Sequence, residues 1–157
     1  MKSFKEYSKH ENGTYACLQL SKESSKILHD WCMDHFGKSV DPNTYHCTIM
    51  YSRVPVPLAD DIKPTLPIVA KANSFEIFQS GDGSNCVVLR VESPEIEKLH
   101  FQTRQLGASY DYPAYKAHVT LCADYESDAL PMPPDFELVF DKFKVEPLDV
   151  DMVTTNT

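Results

Sequence analysis

Apolar and polar positions alternate from Thr14 to Leu20, with Ala16, Leu18 and Leu20 on one face and Tyr15, Cys17 and Gln19 on the other. A period of two predicts a half-buried strand. Ser21 then offers a helix N-cap, and Ile27, Leu28, Trp31, Cys32 and Phe36 recur at helical spacing until Gly37 supplies a stop. A loop holding Asp41-Pro42-Asn43 leads into a strand that runs to about Ser52. The stretch from Val54 to Pro67 carries Pro55, Pro57, Pro64 and Pro67, which predicts a covering loop with at most a short helix near Asp60. Ile68 to Gln79 reads as a strand, Gly81-Asp82-Gly83 as a turn, and Cys86 to Glu92 as a second alternator with Val87, Leu89 and Val91 inward and Arg90 on the polar face. Ser93-Pro94 caps a second helix, whose stripe is Ile96, Leu99 and Leu106 up to Gly107. A loop with Asp111-Tyr112-Pro113 precedes a strand at His118, and after a proline-rich loop from Asp124 to Asp135 a last strand runs from Phe136 to about Leu148. Residues 1 to 13 read as a polar arm ending in the Asn12-Gly13 turn, and the tail after Asp151 reads as frayed.

Set side by side, residues 14–52 and 86–122 repeat one pattern: strand, Ser-capped helix, Gly stop, loop with Asp and Pro, strand. Identity between the halves is low, so the repeat is one of pattern. Length and the lack of a linker predict one domain over residues 1–157.

The same chemistry closes each half. Tyr45-His46-Cys47-Thr48-Ile49-Met50 returns as Ala117-His118-Val119-Thr120-Leu121-Cys122. Side chains two apart on a strand share a face, so His46 with Thr48, and His118 with Thr120, stand together. Two His-x-Thr pairs facing one pocket suit phosphoryl chemistry. Two imidazoles supply a base and an acid at once, and threonine hydroxyls donate to phosphate oxygens. A structural role for both pairs would require the match to arise by chance twice. No metal or cofactor is expected, because threonine is not a usual transition-metal ligand and neither histidine has a neighbouring His or carboxylate at zinc-like spacing. His29, His35 and His100 lie on helices, where solvation or packing explains them, and Trp31 reads as core.

Composition narrows the partners. A formal net charge of −8 opposes an extended grip on a nucleic-acid backbone, while a small nucleotide in a local pocket stays compatible. The five cysteines are odd in number and show no C-x-x-C spacing, so they read as reduced core residues in a cytoplasmic protein. No apolar run approaches a membrane span, and the start lacks an apolar leader. Neither a membrane nor an obligate protein partner is expected.

Paired HCTIM and HVTLC segments in a duplicated strand-helix-strand chain resemble the 2H phosphoesterase superfamily. Lys9-His10-Glu11-Asn12-Gly13-Thr14-Tyr15, His29-Asp30-Trp31-Cys32 and Asn43 to Ile49 further resemble the anti-CBASS nuclease family of T-even-like phages. The resemblance implies a bilobal α+β fold, with two pseudo-symmetric lobes of antiparallel sheet, outer helices and a central groove holding both motifs. It implies metal-independent cleavage of 3′-5′ bonds in cyclic di- and trinucleotide immune messengers such as 3′3′-cGAMP, in the bacterial cytoplasm during infection. One of His46 and His118 would be the base and the other the acid, with Thr48 and Thr120 on the phosphate. An aromatic near the N-terminus and an acidic residue near the C-terminal strand hold a base in that family, which maps to Tyr15 and Glu146. Both lie on polar strand faces, where an aromatic stacks on a base and a carboxylate accepts from an exocyclic amine. Tyr51, Tyr110, Tyr112, Tyr115 and Tyr125 are candidates for a rim or lid, and Arg53 and Lys116 for added positive potential. The alternatives are action on RNA ends, whether 2′,3′-cyclic phosphates or 2′-5′ linkages, and sequestration of a nucleotide without cleavage. The acidic balance weighs against long RNA, and two intact His-x-Thr pairs weigh against a mere sponge.

Overall fold

The computed structural model describes residues 11–79, 83–126 and 129–148. Most of the N-terminal arm, the Gly81-Asp82 part of the expected turn and the tail after residue 148 lie outside the described residues. Within them run β1 (Thr14–Leu20), α1 (Lys22–Phe36), β2 (His46–Ser52), β3 (Ile68–Gln79), β4 (Asn85–Glu92), α2 (Pro94–Gln105), β5 (His118–Ala123) and β6 (Glu137–Pro147). Short 3₁₀ turns at Pro42–Thr44 and Pro57–Asp61 lie in two of the proline-containing loops. The fold class is α+β, as expected.

The strands close in the order β1-β2-β5-β4-β3-β6, every neighbouring pair antiparallel. The two expected halves of sheet are β6-β1-β2 and β5-β4-β3, joined edge to edge. One junction is the rung Cys47–Val119, and the other is the four rungs from Ile68–Phe140 to Lys71–Glu137. The first falls on the middle residue of each His-x-Thr motif.

Capping sets the helix ends. Ser21 Oγ accepts from the Ser24 amide at 3.1 Å, and Gly37, at φ 72°, donates its N–H to the Cys32 and Met33 carbonyls. Ser93 Oγ accepts from the Ile96 amide at 3.3 Å. Both helices cover the sheet face formed by Ala16, Leu18, Ile49, Leu89 and Leu121, and share one core with it through Leu28, Cys32, Ile96 and Leu99. Burying these side chains supplies the main driving force for assembly.

Two helical stripes are shifted from expectation. Ile27 is 48% exposed, because Ser24 and Ser25 turn inward instead and Ser24 Oγ accepts from the Val139 amide of β6 at 2.9 Å. Leu106 follows the end of α2 and is 37% exposed, whereas Thr103 is fully buried with its hydroxyl donating to the His100 carbonyl. Trp31 is half-buried, stacked between His35 and Phe75.

Gly13 opens β1 at φ +120°, and a Cβ there would stand 2.0 Å from the Ser52 carbonyl oxygen. No side chain fits this approach of the two chain segments.

Candidate active site

The sheet face that the helices leave uncovered carries the motifs. Antiparallel pairing centred on Cys47–Val119 sets His46 beside Thr120 and Thr48 beside His118. The two histidines therefore occupy one diagonal of a quartet and the two threonines the other. Directly opposed Cβ atoms lie about 5 Å apart and diagonal ones about 7–8 Å, which is room for one phosphate between four side chains. All four are half-buried, while Cys47 and Val119 between them are fully buried on the core side.

Backbone irregularity shapes both motifs in the same way. Along β1, the partner of Ala16 is Met50 and that of Cys17 is Thr48, so Ile49 is bulged out. Along β4, the partner of Val87 is Cys122 and that of Val88 is Thr120, so Leu121 is bulged out. A bulge re-aims neighbouring side chains and increases local twist. Each lies directly after the motif threonine, and each bulged carbonyl is taken by a donor outside the strands. His100 Nδ1 donates to Ile49 O at 2.8 Å, and the Val40 amide donates to Leu121 O at 2.7 Å.

The histidines are oriented alike. His46 Nδ1 donates to the Thr44 carbonyl at 2.8 Å, and His118 Nδ1 to the Lys116 carbonyl at 2.7 Å. Tying Nδ1 to a carbonyl fixes the tautomer and leaves Nε2 as the nitrogen that exchanges a proton. The two imidazoles are thus held alike on opposite corners of the quartet, each with Nδ1 turned to the backbone.

The strand before them supplies the rest of one wall. Tyr15 OH lies 3.1 Å from Thr48 Oγ1, and its ring meets that of His46 edge-on at 6.5 Å. Although expected on a polar face, Tyr15 is only 4% exposed. Burial first, then the adjacent Cys17 thiol, pushes its phenol far above the usual range, so it stays protonated beside Thr48. Glu146 stands directly across from Tyr15 on β6, half-buried, followed by Lys144 across from Cys17 and Lys142 across from Gln19. All six residues singled out in the sequence thus fall on one continuous face.

The family model described as anti-CBASS protein Acb1 matches residues 12–155, which includes every one of these positions. The chain belongs to the Acb1 family. It is 30% identical over 154 residues to the anti-CBASS protein Acb1 of Enterobacteria phage T4, with 96% of each chain covered. To that of Vibrio phage KVP40 it is 29% identical over 147 residues, 92% of this chain and 93% of the relative. Among solved structures, TT0787 of Thermus thermophilus superposes with a TM-score of 0.61 at 16% identity, covering 84% of this chain and 86% of that one. E. coli LigT complexed with 3′-AMP gives 0.59 at 17% identity, covering 84% and 85%. At such identities the likeness is one of fold, that of the LigT-type 2H phosphoesterases.

The Acb1-family chain places other residues where the sequence did not point. Phe78 of β3 packs edge-on to the His118 ring at 4.8 Å, with Lys116 Nζ 5.9 Å from its centroid. The signal for it is the alternation that puts Ser74, Glu76 and Phe78 on the polar face of β3. Arg90 lies directly across from His118. The tyrosines do not form a rim as a group. Tyr115 stacks on His100 at 3.9 Å, and its hydroxyl donates to the Thr48 carbonyl at 2.7 Å from the helix side of the sheet. Tyr110 meets both rings, and Tyr125 packs on Phe36. Arg53 is held by a bidentate contact to Asp111 and sits over Tyr51. Among the described residues, no three His, Cys, Asp or Glu side chains gather to hold a metal ion, and no helix is long and apolar enough to cross a membrane.

Proposed function

We propose that this Acb1-family protein is a metal-independent phosphodiesterase that opens the 3′-5′ bonds of cyclic di- and trinucleotides such as 3′3′-cGAMP. By removing the messenger in the host cytoplasm it lets a phage evade CBASS immunity. The observation that carries this reading is the diagonal pair of imidazoles, His46 and His118, each with Nδ1 tied to the carbonyl two residues before it. Family membership supports the messenger as substrate, and the likeness to a LigT complexed with 3′-AMP supports a nucleotide in the groove.

In this reaction one imidazole takes the proton of the attacking hydroxyl, the ribose 2′-OH next to the scissile phosphate. The O–P bond forms as the P–O5′ bond breaks, and the imidazole on the opposite corner protonates the departing 5′-oxygen. Thr48 and Thr120 hold the non-bridging oxygens as charge develops. Tyr15, buried beside Thr48, orients the Thr48 hydroxyl, and Glu146 accepts from an exocyclic amine of a base. The Nδ1 bonds favour Nε2 as the working nitrogen on both sides.

The test is substrate competition. Purified protein is offered 3′3′-cGAMP, a cyclic trinucleotide and short RNA ending in a 2′,3′-cyclic phosphate, and products are resolved by chromatography. Linear product from the cyclic oligonucleotides is expected. Turnover of the RNA ends alone would refute the proposal, as would tight binding of 3′3′-cGAMP with no product.

A further inference from the structure

Among the described residues, Arg90 is the one guanidinium that the ladder places beside a motif histidine on the uncovered face. It pairs with His118 on one side and with Ser74 on the other, one strand outboard of the quartet. The corresponding residue across from His46 is Gln19, which carries no charge. On that half the cations are the exposed Lys142 and Lys144 of β6.

Arg90 is loosely held. A single nitrogen, Nη1, reaches both oxygens of Glu76 at 3.4 and 3.3 Å. Charge-assisted bonds normally close to about 2.7–2.9 Å. Its Nε is buried without any acceptor. The Arg90 side chain is 23% exposed and that of Glu76 37%, so the pair stands at the wall of an open groove. Neither the fork geometry of the guanidinium nor its donor count is satisfied by this carboxylate. A phosphodiester, with two non-bridging oxygens, matches both.

We propose that Arg90 seats the non-scissile phosphate of a cyclic oligonucleotide, and that Glu76 holds the guanidinium in place until that phosphate displaces it. The inference rests on the reading of the site as a cyclic-oligonucleotide phosphodiesterase. The scissile phosphate belongs between β2 and β5, among His46, Thr48, His118 and Thr120. Arg90 lies beyond His118, offset by one further strand spacing of about 4.8 Å. The anion it meets is therefore a second one on the same ring, which every cyclic di- or trinucleotide carries and a single cyclic mononucleotide does not.

The experiment compares two ligands, 3′3′-cGAMP with two phosphates and 2′,3′-cAMP with one, by calorimetric titration. A His46→Ala background prevents turnover. Adding Arg90→Gln should weaken 3′3′-cGAMP binding by about ten- to a hundredfold, the worth of charge-assisted hydrogen bonds, and leave 2′,3′-cAMP within about twofold. Arg90→Lys, which keeps the charge and loses the fork, should fall between and also serves if the glutamine variant does not fold. Glu76→Gln should tighten 3′3′-cGAMP severalfold by removing a competing carboxylate. Opposite signs for the two partners separate a ligand seat from a structural ion pair, in which both substitutions would do harm. An unchanged Kd for 3′3′-cGAMP in Arg90→Gln, equal losses for both ligands, or weaker binding in Glu76→Gln overturns the assignment. Failure of the wild-type chain to cleave 3′3′-cGAMP while still binding it refutes the catalytic reading alone, and the Arg90 comparison is read from Kd either way.

Discussion

Replacing Tyr115 by phenylalanine removes one oxygen and leaves the ring on His100. That oxygen donates to the Thr48 carbonyl at 2.7 Å, next to the bulged Ile49. Burial raises the phenol well above its usual range, so at neutral pH it always carries the proton it donates. A neutral hydrogen bond is worth about 1 kcal/mol net, and stranding a buried acceptor raises the loss toward about 3 kcal/mol. The expected loss is about 1–2 kcal/mol, because His100 still holds the Ile49 carbonyl. In urea unfolding this moves the midpoint without changing the slope, and lowers Tm by about 2–8 °C for a chain of this size. The motif strand is anchored from behind by this bond, so Thr48 shifts toward the slack side. Displacements of about 1 Å can cost about 10²-fold in rate, and we expect kcat for 3′3′-cGAMP to fall about tenfold with a smaller change in KM. Tyr115→Leu, which also loses the stack, should be less stable than Tyr115→Phe. A phenylalanine variant as stable and as active as the wild type would refute the claim that the bulge is held from the helix side.

Gly13→Ala should cost about 3 kcal/mol or more, or prevent folding, since a Cβ meets the Ser52 oxygen at 2.0 Å in a left-handed backbone; thermal denaturation reads it directly. Burial, partly offset by the bond to Ile49, holds His100 below its ordinary 6.5, with Arg104 lowering and Glu97 raising it slightly. The unfolded chain therefore takes up this proton first, and stability should fall as pH drops below about 6.5 until the folded His100 titrates too. His100→Gln should flatten that part of the stability–pH curve. All five cysteines are thiols outside any disulfide. Burial pushes Cys17 and Cys47 up to about 11 and Cys32 to about 12. Under native conditions a disulfide reagent at pH 7.5 should therefore titrate the half-buried Cys86 first, and reach all five only after unfolding.

Much of this arrangement could be read from residue order because its determinants are local. Strict alternation marks β1 over its observed limits, the run from Ile68 to Gln79 matches β3, and Ser21, Gly37 and Ser93 mark helix ends through bonds made within one turn. His-x-Thr on a strand forces a shared face whatever the fold. What escaped depends on contacts distant along the chain. The bulges at Ile49 and Leu121 leave no trace in the hydrophobic pattern, since both residues are fully buried and apolar as a regular strand would require. Ile27 follows the helical period yet faces solvent, because a serine-to-β6 bond decides how α1 is rolled onto the sheet. Tyr115 lies three residues before His118 but serves the other motif, through a bond across 67 positions. Pairing of Cys47 with Val119, which turns two motifs into one quartet, is likewise a fact of closure.

The most direct measurement incubates the wild-type protein, His46→Ala and His118→Ala with 3′3′-cGAMP in excess EDTA and follows the linear product by chromatography. Wild type should convert the substrate, and each alanine variant should be slower by about 10²- to 10⁴-fold, the usual contribution of a general acid or base. Near-wild-type turnover by either variant, or no turnover by the wild type, would contradict the account.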